Sequence, residues 1–135
     1  MNTLEYLKQY KDIDNLISAK REQIAILRDK AEQTTTNYEI ARVQTSIVDK
    51  TPNIIAKIIQ EENEVKTEIE ELDRIKHEIR ARINLIQDNN CKAFLISRFI
   101  NGNTVEKAAQ TVNYSNSGVY NLQERAIKAF ENANI

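Results

Sequence analysis

The sequence predicts an all-α protein: a long antiparallel coiled-coil helical hairpin followed by a small helix-turn-helix bundle. Three observations predict it. Glycine and proline together number three in 135 residues, so little interrupts helix. Through residue 88, apolar residues recur in alternating steps of four and three, the rhythm of a helix with one buried seam. Beyond it the rhythm breaks into short segments, divided at Gly102 and at a run of small polar residues, Ser115-Asn116-Ser117-Gly118. Two parts are therefore expected, residues 1–88 and residues 89–135.

The first seam is Tyr6, Tyr10, Ile13, Ile17, Lys20, Ile24, Leu27 and Ala31, interrupted only by Lys20. The segment QTTTNYEIARVQTSIVDK, residues 33–50, is β-branched and polar without a helical stripe, and reads as a connecting loop. Thr51 as cap and Pro52 at the first helical position open the second helix, expected to run to about Asp88. Its seam is Ile55, Ile58, Glu62, Val65, Ile69, Leu72, Lys76, Ile79, Ile83 and Ile86. Folding the two helices antiparallel brings Lys20 and Arg21 near Glu64 and Glu68, and Asp12 and Asp14 near Arg74 and Lys76. A narrow stripe on helices this long needs a partner, and two helices bury little. A second copy of the hairpin is expected to complete a bundle, making the chain a homo-oligomer.

CKAFLISRFI is apolar on nearly every side, as for the central helix of a small bundle. Gly102 is its expected stop, with Asn103 or Thr104 capping the next helix. That helix buries one face, Val105, Ala108, Ala109 and Val112. After a turn of about three residues, Ser115 is the expected N-cap of the last helix, with Tyr114 and Val119 as a hydrophobic staple. Val119, Leu122, Ala126 and Phe130 form its buried stripe, and Asn116, Ser117, Tyr120, Asn121 and Glu124 its opposite face. In a helix-turn-helix the second helix sets its first turns in the major groove, where Asn can read adenine through two hydrogen bonds. The candidate DNA-binding residues are Ser115, Asn116, Ser117, Tyr120, Asn121, Glu124, Arg125 and Lys128. Capping alone would also account for Ser-Asn-Ser-Gly in an all-α bundle without DNA.

Composition narrows the other classes. No apolar run reaches the roughly 18 residues that span a bilayer, and MNTLEYLKQYKD has no apolar core of a secretory signal. A lone Cys91 excludes an intramolecular disulfide and suits a reducing cytoplasm. Net charge is −1 overall, but residues 89–135 carry +2 and residues 1–88 carry −3. The basic run RIKHEIRAR reads as an ion-paired or solvated face. His77 has no second His or Cys nearby for a metal, and Cys91 reads as a small core residue. No triad, metal cluster or Gly-rich phosphate loop is visible, so neither an enzyme nor a cofactor is expected.

NGNTVEKAAQTVNYSNSGVYNLQERAIKAF resembles region 4 of bacterial sigma factors, and more closely the RinA-like and ArpU-like phage transcriptional regulators. Tyr114, Ser115, Val119, Tyr120, Leu122, Ala126 and Ile127 match the family's Tyr-Ser turn and recognition helix. Arg98, Phe99, Gly102 and Thr104 match its entry segment, and LEYLKQYKDIDNLI its N-terminus. The chain departs from the pattern at Gly118 and Ala108, and its recognition face carries almost no Lys or Arg. The resemblance implies a phage or prophage regulator of late or packaging promoters. Double-stranded promoter DNA and RNA polymerase are its implied partners, with the helix presented near a −35 element. A small terminase subunit is the leading alternative, since it too joins a helix-turn-helix to an oligomerising helical hairpin. A protein-interaction module without DNA binding is the next.

Overall fold

The computed structural model describes residues 1–44, 51–115 and 118–135, with side chains over 1–36, 52–115 and 118–135. Among the described residues the protein is all-helical, with five helices and no strand. Helix α1 spans Thr3–Gln44 and α2 spans Thr51–Asn84. Helix α3, Asn89–Leu95, continues as a π-helical stretch through Ile96–Ile100; α4 is Val105–Thr111 and α5 is Val119–Ala133. No described helix is long and apolar enough to cross a membrane.

A reciprocal cap starts α1. The Glu5 N–H donates to Asn2 Oδ1 at 2.8 Å, and the Asn2 N–H donates to Glu5 Oε2 at 3.3 Å. The loop expected over residues 33–50 is corrected in its first part, because α1 continues to Gln44. The Thr35 and Thr36 hydroxyls donate to the carbonyls of Ala31 and Glu32 one turn back, so these β-branched residues are satisfied inside helix. Residues 45–50 of that expectation lie outside the described residues. Helix α2 stops at Asn84, four residues short of the expected Asp88. Asp88 instead caps α3, accepting from the N–H groups of Asn90 at 2.9 Å and Cys91 at 3.1 Å.

The chain forms two compact units, Met1–Asn15 with Asp73–Ile135, and Leu16–Leu72. In the second, Ile17, Ile24, Leu27, Val65 and Ile69 are buried, as both seams require. Lys20 pairs with Glu68, and Arg28 Nε donates to Glu62 Oε1 at 2.8 Å, so position along α1 rises as position along α2 falls. The first unit has one continuous core. Leu7, Tyr10, Ile79, Ile83 and Ile86 join Cys91, Phe94, Leu95, Phe99, Leu122 and Phe130 in it. Packing therefore does not divide at residue 88: the ends of both long helices belong with the C-terminal segments. Lys76 pairs with Asp14 and lies 5.0 Å from the Tyr10 ring centre.

Two turns in this unit need left-handed backbone. Gly102 ends the π-helical stretch at φ 76°, a conformation that glycine adopts freely. Thr104 then caps α4, its hydroxyl accepting from the Lys107 N–H at 3.2 Å. Asn113, at φ 62°, ends α4. Tyr114 N–H reaches back to the Ala109 carbonyl at 2.9 Å and Asn113 N–H to that of Gln110 at 3.0 Å, the Schellman pattern of hydrogen bonds. Ser97, buried, accepts from Asn103 Nδ2 at 3.0 Å and meets the Thr111 hydroxyl at 3.3 Å, tying the turn before α4 to its last residue. At the far end, Arg82 Nε donates to Asn134 Oδ1 at 3.1 Å while its guanidinium stacks 4.6 Å from the Tyr6 ring centre.

Candidate nucleic-acid interface

Helix α5 is strongly two-sided. Val119, Leu122, Ala126 and Phe130 are buried at helical spacing, and α4 packs against the helix. Tyr120, Asn121, Glu124, Arg125 and Lys128 are all exposed on the remaining surface, Tyr120 to 67%. Tyr120, Glu124 and Lys128 follow one another four residues apart, so they form a single ridge. Asn121 and Arg125 form the adjoining one.

The start of this helix differs from expectation. Its N-cap is Gly118, with no side-chain cap hydrogen bond, so Ser115 is not the cap of α5. Ser115 is exposed, and its carbonyl accepts the Gly118 N–H at 3.0 Å, closing a turn before the helix proper. Residues 112–115 follow α4, and the rest of the expected turn falls on residues that are not described. The Schellman ending of α4 and the turn at Ser115 both use residues there. Asn116 and Ser117 lie outside the described residues.

Arg125 has neighbours that its place in the sequence does not reveal. Its Nη1 donates to the Tyr114 hydroxyl at 3.0 Å, its Nη2 lies 3.7 Å from Asp88 Oδ2, and its guanidinium stands 5.8 Å from the Tyr114 ring centre. The Cys91 backbone N–H holds the Asp88 carboxyl below its usual range; burial opposes this, the Asn90 N–H adds to it, and the Arg125 charge contributes least. Arg125 thus ties the start of α3 to the segment before α5, and half of its side chain stays accessible. Glu124 and Lys128 make no side-chain hydrogen bond or ion pair among the described residues, and the Glu124 carboxylate on this ridge would repel a phosphate.

Among the described residues no cluster of three or more His, Cys, Asp or Glu side chains could hold a metal ion. His77 Nδ1 lies 3.3 Å from Arg80 Nη2 on the surface of α2, and Cys91 is buried in the core. The residues that sequence reasoning passed over are Lys8 and Lys11 of α1, which line a cleft with Arg98. Their separation in sequence hid them, since only folding brings α1 beside the π-helical stretch.

Fold and surface together define an all-helical protein whose last helix carries a polar, solvent-facing side. The chain belongs to the DUF1492 family: the model described as "Protein of unknown function (DUF1492)" matches residues 32–131. No curated protein and no solved structure gives a significant match.

Proposed function

We propose that this DUF1492 chain is a sequence-specific DNA-binding transcriptional regulator of phage or prophage type. In this reading α4 and α5 form a helix-turn-helix like that of sigma region 4, and α1 with α2 forms an antiparallel coiled-coil assembly arm. It activates late or packaging genes in sigma-like fashion, with promoter DNA and RNA polymerase as partners, in the cytoplasm and without enzymatic activity or cofactor. The observation that carries the reading is α5 itself. Its apolar stripe is fully used against the core, yet Tyr120 and Asn121 are left exposed on its first turn, where a groove-binding helix needs groups that hydrogen-bond bases. The resemblance of residues 101–130 to the RinA-like and ArpU-like regulators supports the same reading.

Assembly through the arm is supported by apolar side chains that the second unit leaves half exposed: Leu16 at 46%, Ile26 at 50%, Ile54 at 46% and Ile59 at 50%. Footprinting of the full chain on the DNA flanking its own gene tests the proposal. A protected window that competitor DNA does not abolish is expected, and absence of protection on every fragment removes the reading. Sizing separates it from the terminase alternative, because a dimer fits a regulator and a large ring fits a packaging subunit.

A further inference from the structure

The outer side of α5 presents two cations, Arg125 and Lys128, and Arg125 is engaged with Tyr114 and Asp88. Duplex DNA carries one negative charge per about 1.7 Å of its axis, so a helix lying in a groove needs cations beside it for the phosphates. The first unit holds a group of them away from α5. A cleft of about 300 Å³ is lined by Lys8, Lys11 and Asp12 of α1 and by Arg98 and Phe99 of the π-helical stretch. Three cations face one carboxylate there, which leaves the cleft net positive.

Its parts are held differently. Lys8 and Lys11 are three residues apart and therefore share one face of α1. Both are exposed, and neither enters an ion pair among the described residues. The Lys11 side chain passes 3.9 Å from where a Cβ on Gly102 would stand, so its ammonium lies over the turn that leads into α4. Arg98 is fixed: Nη1 donates to the Asn103 carbonyl at 3.0 Å, and the guanidinium stacks 5.3 Å from the Phe99 ring centre. Its buried Nε has no hydrogen-bond partner among the described residues, an exception that calls for a reason. A planar guanidinium held in place with two exposed, unpaired ammonium groups beside it suits a tetrahedral oxyanion, which accepts from several directions at once.

We propose that the cleft between Lys8, Lys11 and Arg98 is a phosphate-binding site. The oxyanion comes from the backbone of duplex DNA or from free phosphate. The first source rests on the regulator reading above and the second does not. With DNA as the source, α1 clamps a phosphate beside the start of α4, the helix that crosses the backbone in a helix-turn-helix. The recognition face of α5 carries almost no Lys or Arg, and α1 offers cations at another place in the same unit, from a distant part of the sequence.

Two measurements on the full chain test this, comparing wild type with K8Q/K11Q. In the first, amide chemical shifts are followed as sodium phosphate replaces sodium chloride at constant ionic strength. Saturable shifts at Lys8, Lys11, Arg98 and Gly102 are expected, and are expected to be lost in the variant. In the second, affinity for a mixed-sequence duplex is measured against salt. Losing the single clamped phosphate should reduce the slope of log K against log salt by about 1. Phosphate shifts without duplex binding keep the cleft, assign it to free phosphate and remove the regulator reading. A reduced slope without phosphate shifts assigns it to polymeric phosphate. Unmoved amides together with an unchanged slope overturn the cleft while leaving the regulator reading standing, and unmoved amides with no duplex binding overturn both. If Lys11 merely screens the carbonyls that end the π-helical stretch, the variant lowers the melting temperature and leaves both binding measurements unchanged, which also overturns the proposal.

Discussion

Asn121 stands exposed two positions after the buried Val119, on the first turn of α5. If it reads a base, Asn121→Ala removes a bidentate contact worth about 1–3 kcal/mol, and affinity for a cognate fragment falls roughly 5- to 150-fold. Fluorescence anisotropy would measure that fall. The melting temperature should hardly move, because the side chain lies off the buried stripe. A lowered melting temperature with unchanged affinity would instead make this face an internal surface of some larger assembly. Asp88 makes the opposite kind of prediction, for stability and not for binding. Asp88→Ala deletes the cap of α3 and should cost about 1 kcal/mol near neutral pH. The folded carboxyl is held below its usual range, so its contribution is fully present above the unfolded value near 3.9 and is lost as pH falls through the lower folded value. Urea melts of both proteins should therefore differ by a constant amount from about pH 5 to 8 and converge in strong acid.

Gly102 decides how one element hands over to the next. At φ 76° a Cβ meets nothing nearer than the Lys11 side chain at 3.9 Å, so Gly102→Ala is penalised by backbone strain alone. A loss of about 1 kcal/mol is expected by thermal or urea denaturation, with Gly102→Asn milder because Asn tolerates this region. The stop at Gly102 was legible in the sequence, and so was a cap at Asn103 or Thr104, of which the fold uses Thr104, because few residue types perform these tasks. So were the buried stripes of α4 and α5, where a period of 3.6 points to one face. The ending of α1 was not. A run of Thr and Asn looks like loop by propensity, but hydroxyls that bond one turn back remove the objection to helix. The end of α2 was equally hidden, because Asp88 continues the polar pattern of that helix while its carboxylate caps the next. At the candidate interface, the exposure of Tyr120, Asn121 and Glu124 followed from spacing. The tie from Arg125 to Tyr114 and Asp88, and the approach of Lys8 and Lys11 to Arg98, are tertiary and leave no periodic trace.

At the scale of the whole molecule, the two seams are one pattern in sequence but serve two cores. Ile69 lies in the unit Leu16–Leu72, whereas Ile79 shares a core with Phe94 and Phe130. Ile69→Lys should therefore loosen the proposed arm and abolish any oligomer while leaving the C-terminal segments folded, as sizing and circular dichroism would show. Ile79→Lys should unfold the first unit, the proposed DNA-binding surface included, and take any specific binding with it. Equal effects from the two substitutions would mean that the units are not separate. One tie has a mechanical consequence. The Thr3 hydroxyl donates to Glu131 Oε1 at 2.9 Å, and Asn134 is held by Arg82, so the first turn of α1 and the last turn of α5 lie side by side. Tension applied between Met1 and Ile135 therefore pulls neighbouring strands of the chain apart sideways, loading one contact after another instead of all together. Such a geometry peels open like a zipper at low force, and it begins at the end of α5 opposite its exposed first turn.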